Sequence, residues 1–167
     1  MSAPAGDDPA ETTILEVADA DFAAMLRGVS LAGGYALPPG GVDDPIVLEH
    51  VRAIAARLRG SGCRGAWMVV ASGEVVGLCG YKHPPTGSGI VEIGYGIAAT
   101  RRRRGHAGRA VAAMLAAARR DGVRVVLAET VTDNVASQRV LERNGFARAG
   151  TRSDPEDGDL ILWQIAL

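Results

Sequence analysis

The segment Thr100-Arg101-Arg102-Arg103-Arg104-Gly105-His106-Ala107-Gly108 holds the strongest chemical signal in the chain. It stands between a strand-like run and a long helical one. Four guanidinium groups at a helix start are electrostatically misplaced, because the helix macrodipole favours anions there. A bound anion removes the conflict. Backbone N–H groups at a helix N-terminus, beside small residues at 105, 107 and 108, can cradle a phosphate or pyrophosphate, and arginines add charge-assisted contacts. On composition two other readings stay open: a solvated basic loop before an ordinary helix, and nucleic-acid binding. Against the latter, no aromatic residue is interleaved and no further basic surface extends the run. The P-loop pattern Gly-x-x-x-x-Gly-Lys-Ser/Thr is absent. Gly94-Tyr95-Gly96-Ile97-Ala98-Ala99 matches a loose dinucleotide pattern, but its glycines lie inside a strand-like run and not at its exit into a helix.

Proton chemistry has two carboxylate candidates. Glu129 closes the apolar run Val123 to Ala128. A carboxylate at the mouth of such a run can have a raised pKa, which suits a general base for an amine. Glu92, on the neighbouring strand, is its rival, and either can equally be an exposed strand-end carboxylate. Glu92, Gly94 and Gly96 share one face of their strand, while Val91, Ile93, Tyr95 and Ile97 share the other. Glycines there mark close approach by a ligand or merely relieve packing. Tyr81, His83, Trp67 and Trp163 carry no separate sign of a site, and the backbone of His106 matters more than its ring. Cys63, Cys79 and three scattered histidines (50, 83 and 106) predict neither a metal centre nor a disulfide framework.

The elements that position these residues follow from periodicity and punctuation. Ile14 to Val17 reads as a strand and Asp19 to Arg27 as a helix. Asp44-Pro45 starts a second helix, with a side-chain cap and a proline at the first helical position. Ala66 to Ala71 and Glu74 to Tyr81 form a hairpin about Ser72-Gly73, and Ile90 to Ala98 follows a loop of proline and glycine. Ala107, Ala110, Val111, Met114, Leu115 and Ala118 define a long amphipathic helix. Val123 to Ala128 reads as a strand covered on both faces. A helix from Asn134 to Asn144 ends at Gly145, and strands near Phe146 to Arg152 and Leu160 to Ala166 close the chain. The order β-α-α-β-β-β-α-β-α-β-β predicts a mixed α/β fold with one strand-helix-strand crossover at its centre.

The 167 residues suit one domain, expected over residues 11–167 behind a loose tail at 1–10. Nearly half of the chain (47%) is apolar, yet no run approaches a membrane span, and the first residues lack the basic and apolar regions of a secretory signal. A net charge of −1 offers no global field for nucleic acid or an anionic membrane. A cytoplasmic protein without nucleic-acid or membrane partners is therefore expected.

Arg102-Arg103-Arg104-Gly105-His106-Ala107 resembles the pyrophosphate loop, Arg/Gln-x-x-Gly-x-Gly/Ala, of the GNAT acetyltransferase superfamily. Glu92-Ile93-Gly94-Tyr95-Gly96-Ile97 is similar to the family's preceding strand, and Asn134, Ser137 and Asn144-Gly145-Phe146 to its later helix signature. The resemblance covers about Ile14 to Leu167, is sharp from Val91 to Phe146, and is closest to the branch of ribosomal-protein N-terminal acetyltransferases. It implies a mostly antiparallel sheet that splays after the glycine-bearing strand, with acetyl-CoA as co-substrate and a primary amine as acceptor. It assigns the cofactor to Ile97, Ala98, Arg102, Arg103, Arg104, Gly105, His106, Ala107, Gly108, Asn134 and Ser137, with a backbone N–H near Ile97 as oxyanion contact. Asn134 would bind amide groups of the cofactor arm, unless it only caps its helix. Glu129, five residues before Asn134, is implied as base, with Glu92 as alternative. Many relatives carry a tyrosine seven residues after the asparagine to protonate the departing thiolate. Here that position is Leu141, and Ser137 is the replacement candidate, giving the proton itself or only hydrogen-bonding the sulfur while water supplies it, unless it is simply a first-turn helix serine. The departure keeps a second reading open, a non-catalytic acyl-CoA sensor. The segments 30–44 and 82–89 are expected to set the acceptor, and the chain to act as a monomer or homodimer.

Overall fold

The computed structural model describes residues 12–167, so the tail expected at 1–10 lies outside the described residues. Seven strands and four helices follow in the expected order: β1 (Thr13–Glu16), α1 (Asp19–Arg27), α2 (Pro45–Gly60), β2 (Ala66–Ala71), β3 (Glu74–Tyr81), β4 (Ile90–Ile97), α3 (His106–Arg120), β5 (Val125–Val131), α4 (Val135–Arg143), β6 (Ala147–Asp154) and β7 (Gly158–Ala166). The punctuation residues act as read. Asp44 accepts the N–H of Ile46 at 2.8 Å and caps α2 ahead of Pro45. Ser72 and Gly73 turn the β2–β3 hairpin with φ of 50° and 76°, the left-handed pair that matches strand twist.

The sheet runs β1-β2-β3-β4-β5-β7-β6. All neighbours are antiparallel except β4 and β5, the parallel pair spanned by the α3 crossover. That pairing covers only Ile90↔Val125, Val91↔Val126 and Glu92↔Leu127, whereas β4 stays paired with β3 as far as Gly77↔Ile97. From Ile93 onward β4 therefore parts from β5, as the family resemblance implies. One face of β3 and β4 carries Tyr81 and Tyr95, whose hydroxyls reach Asp121 at the end of α3 and Ser137 in α4. α2 overlies the face of Leu78, Gly80, Gly94 and Gly96. The core fills the space between, with Phe22, Val91, Val111, Met114, Leu141 and Trp163 almost fully buried.

One strand differs from its expected form. β5 starts and ends later than the apolar run, and Leu127, Glu129 and Val131 on one face are only half-buried. It is thus covered fully on one face alone, and Glu129 lies within the strand, not at its end. Thr130 explains the extension: though polar, it is buried and accepts the indole N–H of Trp163 at 2.9 Å, so the ladder with β7 continues past the apolar residues to Val131↔Leu160.

Candidate active site

Where β4 leaves β5, two cavities meet. The larger, of about 540 Å³, is bounded by Tyr95, Gly96 and Ile97, by residues 101–103 and 105–108, and by Asn134, Ser137, Arg139 and Arg143 of the α4 region. Gly105 starts α3 with φ +81°, a conformation that glycine adopts without strain. The first backbone bond of α3 runs from Arg109 N–H to Gly105 O, so the N–H groups of Ala107 and Gly108 precede the helical ladder and lie along this cavity. Asn144 holds this end in place: its side-chain amide donates to Gly108 O at 3.3 Å and to Val140 O at 2.9 Å, tying the first turn of α3 to α4.

The four arginines divide. Arg101 is turned to Glu74 in a two-bonded pair at 2.6 and 3.0 Å. Arg102 donates to Ile97 O at 3.0 Å and, with Arg103, borders the cavity. Arg104 does not border it, and neither does Ala98, whose N–H is given to Val76 O at 2.8 Å. These two are the cofactor residues of the sequence reading that the structure leaves outside. Conversely, Arg139 and Arg143 border the cavity from α4, one turn apart on one helix face, and were missed because nothing marks them from other surface arginines. The ring of His106 is buried, with Nδ1 2.9 Å from Thr12 Oγ1, so this residue offers the cavity its backbone.

Asn134 caps α4, its side-chain oxygen accepting the N–H of Ser137 at 3.1 Å. Ser137 Oγ lies 2.7 Å from the hydroxyl of Tyr95. The two residues are far apart in sequence, and both border the larger cavity. Burial raises the Tyr95 phenol above its ordinary value, opposed by the Ser137 hydrogen bond. At neutral pH it therefore keeps its proton. Leu141, where many relatives have a tyrosine, is fully buried. A different tyrosine, from β4, thus reaches the same helix.

The smaller cavity, of about 300 Å³, lies on the other side of β4. Val47, Val51 and Ile54 of α2 form one wall, Leu78 and Gly80 of β3 another, and Gly94 and Gly96 the floor. Tyr95 and Gly96 border both cavities. A Cβ on Gly94 would meet only Lys82 Cε, at 3.6 Å, and one on Gly96 only Asp43 Oδ2, at 3.5 Å. Packing does not demand glycine at either position. What these residues leave open is the cavity floor.

Neither carboxylate candidate borders either cavity. Glu92 is ion-paired with Lys82. Glu129 is gripped by Arg152, which reaches from β6 across β7 and donates twice, at 2.8 and 2.7 Å. This bond, with help from the charge of Lys82, holds the Glu129 carboxyl below its ordinary value against a smaller opposing effect of burial. The expectation of a raised pKa is thereby corrected. The same arginine holds Asp154 down to about 2. Among the described residues, no group of three or more histidine, cysteine or acidic side chains is placed to hold a metal ion, and no helix is long and apolar enough to cross a membrane.

A mixed sheet that opens between two parallel central strands, with an arginine-bordered helix start at the opening, is the architecture of the N-acetyltransferases. The chain belongs to the acetyltransferase (GNAT) domain family, whose model matches residues 14–147. It is similar to the uncharacterized N-acetyltransferase YjdG of Bacillus subtilis, at 29% identity over 102 residues, which cover 59% of this chain and 61% of that protein. Among solved structures it shares its fold with Mycobacterium smegmatis RimJ in complex with CoA-disulfide (TM-score 0.70, 23% identity, 93% and 81% of the two chains). It also shares it with YncA, a putative acetyltransferase from Salmonella typhimurium with its cofactor acetyl-CoA (TM-score 0.65, 20% identity, 93% and 94% covered).

Proposed function

We propose that this protein transfers the acetyl group of acetyl-CoA to a primary amine by direct attack, with both substrates bound together. One observation carries the reading: two cavities of different character share Tyr95 and Gly96 at the point where β4 leaves β5. The larger has the N–H groups and cations suited to the pyrophosphate of a coenzyme A thioester, and relatives of the same fold hold CoA or acetyl-CoA.

In this reading Arg102, Arg103 and the backbone from Gly105 to Gly108 take the pyrophosphate, and Asn134 the amide arm. The amine enters from the smaller cavity and its nitrogen attacks the thioester carbonyl. A C–N bond forms, the oxyanion is stabilised by backbone N–H near Ile97, and the C–S bond then breaks. Ser137 donates its proton to the leaving thiolate and is reprotonated by Tyr95, which recovers a proton from water. This pair stands in for the tyrosine that Leu141 replaces, which favours an enzyme over a non-catalytic sensor. The amine proton passes through water to Glu129, which Arg152 keeps ionised but makes a weaker base, so that the proton moves on from there to solvent. Glu92, paired with Lys82, is the alternative acceptor.

Calorimetric titration with acetyl-CoA tests the cofactor half. Wild type binds, and Arg102→Ala and Gly105→Trp lose affinity; equal binding by all three refutes this assignment of the pyrophosphate. Release of coenzyme A thiol on adding amines tests the chemistry. Glu129→Gln should lower turnover while sparing acetyl-CoA affinity, and a fully active variant removes Glu129 from the mechanism.

A further inference from the structure

We propose that the smaller cavity takes a compact primary amine with a single positive charge and an apolar body, and that Asp43 holds its ammonium group. This rests on the acetyl-transfer reading and adds the acceptor that the reading lacks.

Asp43 stands at the entry to α2. Its Oδ1 accepts the N–H of Asp44 at 2.8 Å, which fixes the direction of the carboxylate. Its Oδ2 lies 3.5 Å from the place where a Cβ on Gly96 would be, over the floor shared by the two cavities. Asp43 is also the one carboxylate among the described residues that borders either cavity. Glu92 and Glu129 are engaged by Lys82 and Arg152. An ammonium group drawn to Asp43 would stand where the amine, once it has given up its extra proton to water, must stand to attack an acyl group in the larger cavity.

The remainder of the cavity limits what such an amine can carry. Val47, Val51 and Ile54 face Leu78 across it, and Val47 is left 41% exposed. That is apolar surface which an apolar substrate would cover. At the far end stands Lys82, its Cε beside Gly94, two residues and so about 7 Å along β4 from Gly96. Lys82 is already paired with Glu92, so a second ammonium group on the acceptor would have to compete with it for that carboxylate and would find no other one in the lining besides Asp43, which disfavours polyamines. The volume of about 300 Å³ has room for about ten water-sized groups, the scale of an arylalkylamine.

Coenzyme A thiol release, measured with 2-phenylethylamine, spermidine and short peptides with free N-termini, tests the assignment. Phenylethylamine should exceed both others in kcat/KM. Asp43→Asn should raise KM for phenylethylamine by roughly two- to fivefold, as expected for loss of a solvent-exposed ion pair, with acetyl-CoA affinity unchanged. Val51→Phe, which fills the cavity from the helix side, should abolish phenylethylamine turnover while acetyl-CoA still binds. Preference for spermidine or a peptide, turnover of no amine by protein that binds acetyl-CoA, or an unaltered KM in Asp43→Asn each overturns this acceptor assignment and leaves the cofactor site standing. Failure of wild type to bind acetyl-CoA overturns the acetyl-transfer reading beneath it.

Discussion

Three glycines, Gly77 on β3 and Gly94 and Gly96 on β4, separate packing from function by the sign of their effects. A methyl group on Gly77 would collide with Gly96 O and stand 2.8 Å from Ile97 Cδ1. Because the first obstacle is backbone in a paired strand, it cannot swing aside. Overpacking of this kind costs about 1–3 kcal/mol, and the upper half of that range applies here. In a domain of this size each kcal/mol moves Tm by roughly 2–4 °C, so Gly77→Ala should melt about 4–12 °C below wild type. Gly94→Ala and Gly96→Ala meet nothing closer than 3.6 and 3.5 Å. They restrict the unfolded chain and should leave Tm unchanged or raise it, since such replacements stabilise by about 0.4–1 kcal/mol where the backbone allows them. Their methyl groups nevertheless occupy the floor on which the substrates meet. Gly96→Ala should lower kcat/KM by roughly a hundredfold, the cost of about 1 Å of misplacement at a reacting centre. Circular-dichroism melts without cofactor, paired with thiol-release kinetics, read both effects. If Gly96→Ala melts as low as Gly77→Ala, the glycine serves packing and the reading of the cavity floor is refuted.

Tyr95→Phe and Ser137→Ala should each lower kcat more than they raise KM, and the double variant should be little worse than the worse single one, as expected for residues that act as a unit; additive losses in steady-state kinetics would count against the pair. Arg152→Met frees Glu129, whose folded pKa lies below its ordinary 4.5. The stability this pairing contributes is present above pH 4.5 and is lost as pH falls through the depressed value, so the Tm gap between wild type and variant should narrow steadily in melts below pH 4.5. A gap that is constant with pH would refute the linkage. Asn144→Ala removes the bond to Gly108 O that ties α3 to α4 and the bond to Val140 O that holds the side chain against α4; at about 0.5–1.5 kcal/mol each it should lower Tm by several degrees and weaken acetyl-CoA binding in calorimetry, whereas full affinity would show that the tie does not position the anion site.

Elements whose ends are marked by local chemistry were legible in the sequence: the Asp44-Pro45 helix start, the Ser72-Gly73 turn and the Gly145 helix end all depend on residues adjacent in the chain. The α3 start that forms the proposed anion site was legible for the same reason, since a helix start and its arginines are neighbours. Residues that act across strands were hidden. Glu129 carries no mark of Arg152, which belongs to β6 and approaches only after β7 has paired between them. Tyr95 had a partial signal, because it alternates with Gly94 and Gly96 and so must face away from them, yet its meeting with Ser137 depends on where α4 docks. Asp43 falls within the segment expected to set the acceptor, but as one of two adjacent aspartates before a proline. Asp44 took the capping role that local rules describe, and only the tertiary structure turns Asp43 over Gly96.

The parting of β4 from β5 also makes the sheet two plates joined by a short seam. Within the sheet, β1–β4 and β5–β7–β6 are connected by three residue pairs, Ile90 to Glu92 with Val125 to Leu127. A rotation about so short a seam would alter both cavities together, because Tyr95 and Gly96 are walls of each. A ligand that fixes the angle from one side thereby resets the fit on the other, and the thermodynamic coupling is reciprocal. If acetyl-CoA and an amine occupy the two cavities as proposed, the seam is the element through which the binding of one would bear on the binding of the other.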